Sequence, residues 1–396
     1  MPTLTLKPGR EKSLLRRHPW IFSGAIARQG GNPASGETVD LLAADGQFLA
    51  RAAYSPSSQI RARVWTFDPS EQVGADFFRR RLQRAILTRI GADLMATPMD
   101  ACRLIYAESD GIPGLIVDRY ADMLVFQSLT AGTEYWKDTI ADLLLEVTDL
   151  KTIYERSDAD VRELEGLPIR TGPLRGTIPH SLFTINEHNL LFKVNIALGN
   201  KTGFYLDQRL NRQRLRGLAG GRTVLDCFCY TGGFTVNALA GGAKSVLSVD
   251  ASADALALCR ENVELNALPG ERHNTLEGDA FQLLRKFRDE ARSFDLIILD
   301  PPKFAPTAAL AEKAARGYKD INRLAFKLLR PGGILFTFSC SGGIDAGLFQ
   351  KIIASAALDA GVEAQIVERL SQAPDHPVAL NFPEGEYLKG LICRKV

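Results

Sequence analysis

The sequence predicts an α/β protein with a doubly wound, mostly parallel sheet in its C-terminal half, preceded by a small β domain and a small α+β domain. Three observations support this fold class. The chain has 396 residues, which is too long for one ordinary domain. From Gly220 onward, strand-like segments alternate with helical ones, as in parallel βαβ units. Before that point, the strand-like segments are short and broken by turns.

The N-terminal half predicts two small domains. In residues 1–80, we expect a hairpin around Asp45 and Gly46, followed by the strand QIRARVWTF. In residues 81–195, we expect a β-meander in CRLIYAESDGIPGLIVDRYADMLVFQSL and a helix in EYWKDTIADLLLEV. A basic amphipathic helix, FFRRRLQRAILTRIG, joins the two domains, and TIYERSDADVRELEG and LLFKVNIALG are expected as strands. The third domain then covers residues 196–396.

Composition excludes several classes of protein. Hydrophobic residues make up 45% of the chain and charged residues 24%, which is ordinary for a globular protein. The net charge is only +2, so overall charge does not indicate a nucleic-acid binder. The six cysteines form neither a disulfide framework nor a Cys-x-x-Cys zinc spacing, so we expect a reducing, cytoplasmic setting and no metal site. We find no signal peptide and no membrane span, and so expect no membrane partner.

The first three strands of the third domain end in residues that suit an adenosine-bearing cofactor. The first ends in DCFCYTGGF, where Asp226 precedes Gly232 and Gly233, and the backbone can approach a ligand closely at these glycines. The second strand ends at Asp250, which could accept hydrogen bonds from a ribose, and the third at Asp279. Each feature alone has a structural alternative, a turn or a helix N-cap. The order of the three favours the cofactor.

The fourth and fifth strands bring a carboxylate and a thiol to the same edge of the sheet. The fourth ends in LDPPKF, where two prolines hold Asp300 in place, and the fifth in FSCSGG, which carries Cys340. These strands are neighbours in the usual order of such a sheet. The alternatives are a structural turn and a packing cysteine. A reactive thiolate would need a nearby positive charge or a helix N-terminus.

The remaining cysteines and one polar run complete the candidate features. We expect Cys102, Cys259 and Cys393 to be packing residues, and Cys227 and Cys229 to be structural. The run NKTGFYLDQRLNRQRLRG immediately precedes the first strand of the third domain and could fold over the crevice. Its alternative is a solvated helix start.

Four motifs together, TGFYLDQR, DCFCYTGGF, LDPPKF and FSCSG, resemble the bacterial 5-methylcytosine methyltransferases of 23S ribosomal RNA, of the large-subunit methyltransferase I type. The similarity also covers GREKSLLRRHPWIFSGAI and DHPVALNFPEGEYLKGL, near the two ends of the chain. It implies an N-terminal PUA-like β-barrel that binds RNA, a central α+β domain, and a Rossmann-like class I methyltransferase domain. It also implies S-adenosylmethionine as cofactor and 23S ribosomal RNA as partner.

The resemblance implies roles for individual residues. The Cys340 thiolate adds to carbon 6 of cytosine and makes carbon 5 reactive, while Asp300 holds the Watson–Crick edge of a base that has left its stack. The residues implied for the cofactor are Asp226, Tyr230, Gly232, Gly233, Asp250, Asp279 and Asp300. Those expected to contact RNA, with a solvated charged surface as the alternative, are Arg10, Lys12, Arg16, Arg17, Arg61, Arg63, Lys201, Gln208, Arg209 and Lys303.

One departure from the wider class concerns a second cysteine. Many RNA 5-methylcytosine enzymes carry it directly after the proline of the fourth-strand motif, where this chain has Pro302 and Lys303. A single-cysteine mechanism follows, with no base assigned to remove the carbon-5 proton. Two alternatives stay open: a methyltransferase acting on another base atom, and a non-catalytic RNA-binding assembly factor. A dehydrogenase is disfavoured because the dinucleotide fingerprint is missing.

Overall fold

The computed structural model describes residues 1–90, 100–178, 181–304 and 311–396. The chain divides into two compact units. The first unit contains Met1–Ile185, Val194–Leu206 and Pro374–Gly385, and the second contains Asn186–Lys193, Asp207–Ala373 and Glu386–Val396. The first unit therefore holds most of the residues predicted as the N-terminal and central domains. Within the described ranges, no helix has the length and apolar character needed to cross a membrane.

The first sheet of the first unit has six strands in the order β2-β6-β5-β4-β1-β3. The hairpin predicted around Asp45 and Gly46 is confirmed, because β4 and β5 pair antiparallel across it. Apolar side chains at alternate positions of β4, Val39 and Leu41, are buried in the core of this sheet. The elements are β1 (Thr3–Leu6), α1 (Lys12–Leu15), β2 (Trp20–Phe22), β3 (Ile26–Gly30), β4 (Thr38–Leu42), β5 (Phe48–Tyr54) and β6 (Ile60–Thr66).

The second sheet of this unit has five strands in the order β11-β10-β9-β8-β7. The predicted meander is confirmed, since β7, β8 and β9 pair antiparallel in succession. Phe78 and Leu82 of α2 and Leu144 of α4 are buried with Val117 and Phe126 of the sheet. The elements are α2 (Ala75–Ile90), β7 (Ala101–Tyr106), β8 (Leu115–Tyr120), β9 (Met123–Ser128), α3 (Ala131–Tyr135), α4 (Lys137–Thr148), β10 (Thr152–Ser157), α5 (Val161–Leu164) and β11 (Arg170–Arg175).

Two predicted strands have shorter bounds than expected. The segment TIYERSDADVRELEG forms strand only over β10 and then turns into the short helix α5. The segment LLFKVNIALG forms strand over β13 (Leu190–Asn195), which pairs with β12 (Leu182–Glu187) in a two-stranded sheet. Between β12 and β13, His188 and Asn189 both have positive φ, as a type I′ hairpin turn requires.

The second unit contains the predicted doubly wound sheet, with seven strands in the order β16-β15-β14-β17-β18-β20-β19. Strands β14 to β18 are parallel, and β20 is antiparallel to both β18 and β19. The elements are α6 (Arg209–Arg216), β14 (Thr223–Cys227), α7 (Gly233–Ala240), β15 (Ser245–Asp250), α8 (Ala253–Leu265), β16 (His273–Glu277), α9 (Ala280–Asp289), β17 (Phe294–Leu299), α10 (Ala311–Leu328), β18 (Leu329–Ser339), α11 (Ala346–Ala360), β19 (Ala364–Leu370) and β20 (Lys389–Lys395).

Burial explains why these segments form central strands. Val224 to Cys227 of β14 are all buried, as are Leu296 to Leu299 of β17, so these strands present apolar residues to both faces. The strand order reverses at β14, which lies between β15 and β17. In sheets of this kind, ligands bind outside the carboxyl ends of the strands at that point. The predicted neighbours, the fourth and fifth strands, are confirmed as β17 and β18.

Candidate active site

The loop after β14 adopts an unusual backbone conformation at the switch in strand order. Phe228 and Tyr230 have φ of 61° and 50°, and Gly232 has φ of 83°. A Cβ atom at Gly232 would lie 2.4 Å from the sulfur of Cys259, so only glycine fits there. Gly233 is the first residue of α7. Non-glycine residues with positive φ are rare, because the surrounding structure must hold them in that conformation, and they cluster at ligand sites.

Asp250, at the carboxyl end of β15, supplies that restraint. One carboxylate oxygen, Oδ2, accepts a hydrogen bond of 2.8 Å from the backbone N–H of Tyr230. The other, Oδ1, accepts one of 3.0 Å from the N–H of Ser252, which caps α8. Both contacts orient the carboxylate, and each oxygen keeps a further lone pair.

Asp226 is buried beneath this loop. Its Oδ2 accepts a 2.7 Å hydrogen bond from Thr235, whose hydroxyl also contacts Ser248 at 2.6 Å. Its Oδ1 is buried and has no hydrogen-bond partner among the described residues. Burial raises the pKa of Asp226 well above its usual range, and the carboxylates of Asp250 and Asp300 act in the same direction.

Asp279 follows β16 and caps helix α9. Its side chain is exposed, and Oδ1 accepts a 2.9 Å hydrogen bond from the backbone N–H of Gln282. This is the N-cap geometry named as the structural alternative.

Asp300, just after β17, is oriented by a chain of amides. Gln208 donates a 2.9 Å hydrogen bond from Nε2 to Asp300 Oδ2. The Gln208 carbonyl oxygen in turn accepts a 2.6 Å hydrogen bond from Asn211, which also donates to the carbonyl of Ser371. Because Asn211 requires an acceptor, the amide of Gln208 must present its nitrogen to Asp300. These two hydrogen-bonded amides therefore fix the direction of the Asp300 carboxylate.

Cys340 lies beside the loop that follows β17. Its sulfur is 4.0 Å from the carbonyl oxygen of Pro301, and its side chain is partly exposed, whereas the other five cysteines are buried. The neighbouring Ser341 joins the two loops, because its hydroxyl accepts a 3.1 Å hydrogen bond from the N–H of Phe304 and lies 2.9 Å from the hydroxyl of Tyr318. Asp300 and Cys340 therefore follow adjacent strands at one rim.

Sequence reasoning missed Lys389. It is the first residue of β20 and pairs with Ser339 across the sheet. Its ammonium donates hydrogen bonds of 2.9 Å to the carbonyl of Ser341 and 2.7 Å to that of Tyr387. The residue is separated from Ser341 by 48 positions in the chain, and the pairing of β18 with β20 brings it to the segment that carries Cys340.

Cys259 is buried, as expected of a packing residue, but it also has polar neighbours that the sequence did not predict. A hydrogen bond from Cys229 and a second interaction with His273 lower the pKa of Cys259, although burial opposes them. The sulfur of Cys259 lies 3.8 Å from Nε2 of His273, which is also 3.0 Å from Ser248. A polar cluster therefore underlies the loop after β14. Cys393, in contrast, packs as expected, and burial raises its pKa to about 12.

The residues expected to contact RNA divide into three groups: exposed, buried and half-buried. Exposed side chains occur at Arg10, Lys12, Arg16, Arg17, Lys201 and Lys303. The expectation is wrong for Arg63, which is 5% exposed and pairs with Glu165 at 2.8 Å. Gln208 and Arg209 are also buried, so that run is not a solvated helix start. Arg61 is half-buried and donates to the carbonyls of Ser55 and Pro56.

A basic cavity in the first unit was also missed. It has a volume of about 600 Å³, and Arg16, Arg17, Arg81 and Arg84 line it together with Asp68, Glu71 and Glu108. Arg81 and Arg84 come from α2. Within the described residues Arg84 forms no ion pair, and burial together with the charge of Arg84 lowers the pKa of Arg81. The basic pattern of the FFRRRLQRAILTRIG helix was the available signal.

Comparisons with known proteins agree with this architecture. The S-adenosylmethionine-dependent methyltransferase family matches residues 173–393, and a PUA-like domain matches residues 4–67. The ribosomal RNA large subunit methyltransferase I of Shewanella amazonensis is 52% identical over 391 residues, covering 99% of this chain and 98% of the relative. That of Aeromonas hydrophila is 54% identical over 393 residues, covering 99% of each.

Solved structures show the same fold. A SAM-dependent methyltransferase structure from Streptococcus mutans superposes with a TM-score of 0.84 at 22% identity, over the full length of both chains. A second, SMU.776 complexed with SAH, has a TM-score of 0.85 at 23% identity, again over the full length of both. With S-adenosylmethionine as its cofactor, the chain thus belongs to the ribosomal RNA large subunit methyltransferase I family.

Proposed function

We propose that this protein methylates carbon 5 of a cytosine in 23S ribosomal RNA through a transient covalent bond between the Cys340 sulfur and carbon 6 of the base. The observation that carries the proposal is the placement of the one partly exposed cysteine beside Asp300, at the carboxyl ends of two adjacent strands. The names of the relatives support ribosomal RNA of the large subunit as the substrate. A PUA-like domain supports RNA binding by residues 1–80.

The chemistry requires a nucleophile that can add and leave. Carbon 5 of cytosine is a weak nucleophile, and addition of a thiolate to carbon 6 turns the ring into an enamine that is reactive at carbon 5. After methylation, loss of the carbon-5 proton expels the Cys340 thiolate and restores the ring. Asp300, held by Gln208, would accept a hydrogen bond from the exocyclic amino group of the cytosine. The target base must leave its stack to reach this rim.

The described residues fit the cofactor. Asp226 has a buried carboxylate oxygen without a partner among the described residues, directly under the loop that Asp250 holds at positive φ. Asp226, Tyr230, Gly232, Gly233, Asp250, Asp279 and Asp300 would hold S-adenosylmethionine at this rim. When bound, the cofactor supplies an electrophilic sulfonium methyl group. The N-cap bond of Asp279 uses one oxygen, and the other would face the adenosine.

RNA contacts are proposed for exposed basic residues and not for the buried ones. Arg10, Lys12, Arg16, Arg17, Lys201 and Lys303 would contact phosphates, and Arg81 and Arg84 extend the set through the cavity that Arg16 and Arg17 also line.

Replacement of Asp226 by asparagine tests the buried carboxylate. Because its pKa is raised in the folded state, ionising Asp226 costs stability above the unfolded pKa of about 4, and this cost grows as pH rises. Asp226→Asn removes it. We expect the unfolding free energy of the variant, relative to the parent, to increase as the pH rises from 4 to 7.

The unfolding free energies of the cofactor-free proteins can be measured across this pH range by denaturant unfolding followed by circular dichroism. Asp279→Asn is the matched control, because that carboxylate is exposed and asparagine is also a good N-cap. Calorimetry should show weaker S-adenosylmethionine binding by Asp226→Asn. If the unfolding free energies of Asp226→Asn and its parent change with pH in parallel, ionisation of Asp226 does not cost stability, and the prediction is contradicted.

A mechanism-trapping RNA tests the proposed reaction. In RNA carrying 5-fluorocytosine, the carbon-5 position has no proton to lose, so the expected result is a covalent complex that survives denaturation. Mass spectrometry should place the adduct on the Cys340 peptide, and complex formation should require S-adenosylmethionine.

Two outcomes separate the alternatives. Methylation of ordinary RNA without trapping on 5-fluorocytosine RNA would indicate another target atom. RNA binding without methyl transfer would indicate an assembly factor. Bisulfite mapping of 23S RNA from cells lacking the protein should show one cytosine that loses its protection, which identifies the target.

A further inference from the structure

Lys389 is a buried cation whose hydrogen bonds keep it beside the candidate nucleophile. The residue is only 8% exposed, and its ammonium group donates to the carbonyls of Ser341 and Tyr387. Burying an ammonium group is costly unless nearby charges or dipoles compensate. The position therefore calls for an explanation beyond packing.

The charges around Lys389 identify Cys340 as its main electrostatic partner. Burial lowers the pKa of Lys389, and of the surrounding charges the Cys340 thiolate raises it most, followed by Glu386 and Asp345, while Lys303 opposes. The interaction energy between two charges belongs to both, so the Lys389 ammonium must favour the Cys340 thiolate by the same amount.

The other groups that face the thiol do not replace this effect. Asp300, after β17, is negative and disfavours a thiolate. Tyr318, on α10, is neutral, because burial raises its pKa and the charges of Cys340 and Asp300 add to that. Lys303 is exposed to water, where its charge is screened. Lys389 is the buried positive charge of the set.

We propose that Lys389 is a positioning residue that keeps Cys340 in its thiolate form, ready to add to carbon 6 of the base. The thiol proton goes to water, to which Cys340 is partly open, and Lys389 stays protonated throughout. This role rests on the proposed function, because it assumes that Cys340 is the nucleophile. It supplies the positive charge that the sequence predicted a reactive cysteine would need.

The chain offers a matched control on the same strand. Lys395, at the other end of β20, also donates to two backbone carbonyls, of Phe326 at 3.0 Å and of Leu329 at 2.7 Å. Burial lowers its pKa too, with no contribution from Cys340. Lys395→Met thus removes an ammonium group that makes the same kind of hydrogen bonds as Lys389. This group lies about 20 Å from Lys389 along the strand.

The test measures the rate at which iodoacetamide alkylates Cys340 across a series of pH values, read by mass spectrometry of the Cys340 peptide. For Lys389→Met we expect the midpoint of this profile to move up by about one pH unit or more, with about tenfold slower alkylation at neutral pH. Lys395→Met should keep the parental profile. A folded Lys389→Met protein with the parental profile would overturn the proposal.

A measurement on the parent protein covers the case in which Lys389→Met does not fold. In ¹³C-lysine-labelled protein, alkylating Cys340 removes the thiolate charge, so the NMR titration of Lys389 should move to lower pH while that of Lys395 stays in place. No movement of the Lys389 titration would overturn the proposal. Neither readout involves methylation. If the alkylation profile of Lys389→Met shifts but the parent protein forms no adduct with 5-fluorocytosine RNA, the proposed function alone is refuted. If the parent protein forms the adduct but the Lys389→Met profile does not shift, the role of Lys389 alone is refuted.

Discussion

Replacing Cys340 with alanine is expected to slow methyl transfer by about 10⁴-fold or more while leaving S-adenosylmethionine affinity nearly unchanged. Without the sulfur, carbon 5 of cytosine cannot be activated through carbon 6. The sulfur of Cys340 lies 4.0 Å from the Pro301 carbonyl oxygen, on the loop after β17, whereas the loop that we propose for the cofactor follows β14. Single-turnover assays with labelled S-adenosylmethionine measure the rate, and calorimetry measures the affinity.

The control for this variant is Cys393→Ala. Cys393 lies on β20, in the same sheet, where it is buried and pairs with Leu335 of β18. Its removal leaves a small cavity and should cost some stability but no activity. Methylation by Cys340→Ala at the parental rate would instead indicate that a different base atom accepts the methyl group.

Replacing Arg89 with methionine is expected to lower the unfolding free energy of the first unit by about 3–5 kcal/mol, the usual cost of breaking a buried ion pair. Arg89 is 3% exposed, and all five N–H groups of its guanidinium have acceptors. Two bonds, of 2.8 and 2.7 Å, go to the carboxylate of Asp110, and the others go to the carbonyls of Ala85, Arg103 and Asp375. The variant leaves that carboxylate buried without its counter-ion.

Urea unfolding followed by tryptophan fluorescence measures this effect, because all three tryptophans, Trp20, Trp65 and Trp136, lie in the first unit. Arg79→Met is the matched control on the same helix, since Arg79 pairs with Asp76 and Glu146 at the surface, and we expect it to leave the midpoint nearly unchanged. Adding Asp110→Asn to Arg89→Met should recover part of the loss. If the double variant is no more stable than Arg89→Met, the unpaired carboxylate is not the cause.

The doubly wound sheet could be predicted because its signals are local. The strands that end in LDCFC, SVD and LIILDPP are short apolar runs, each followed by a polar residue. The parallel order of the strands then places Asp300 and Cys340 at the same edge of the sheet. The strand pairing and the rim follow from that pattern. The side chains that complete the rim do not, because they come from distant parts of the chain.

Lys389 and Gln208 illustrate that limit. Gln208 reaches Asp300 across 92 residues of sequence, and Lys389 reaches its place through an antiparallel strand that the alternating pattern did not predict. Arg63 shows the converse error, because a basic residue in a basic segment suggests an exposed surface. Its partner, Glu165, lies 102 residues away and takes it into the interior. Residue type indicates charge, but only the fold determines whether that charge meets water.

The insertion of β20 between β18 and β19 has a consequence for biosynthesis. The strand that bears Lys389 emerges from the ribosome after every other strand of its sheet, so a nascent chain already containing Cys340 still lacks the neighbouring ammonium. Under the proposed role of Lys389, the thiol of Cys340 would keep a higher pKa until β20 pairs with β18 and β19. The proposed activation of Cys340 would thus depend on the strand of this sheet that is synthesised last.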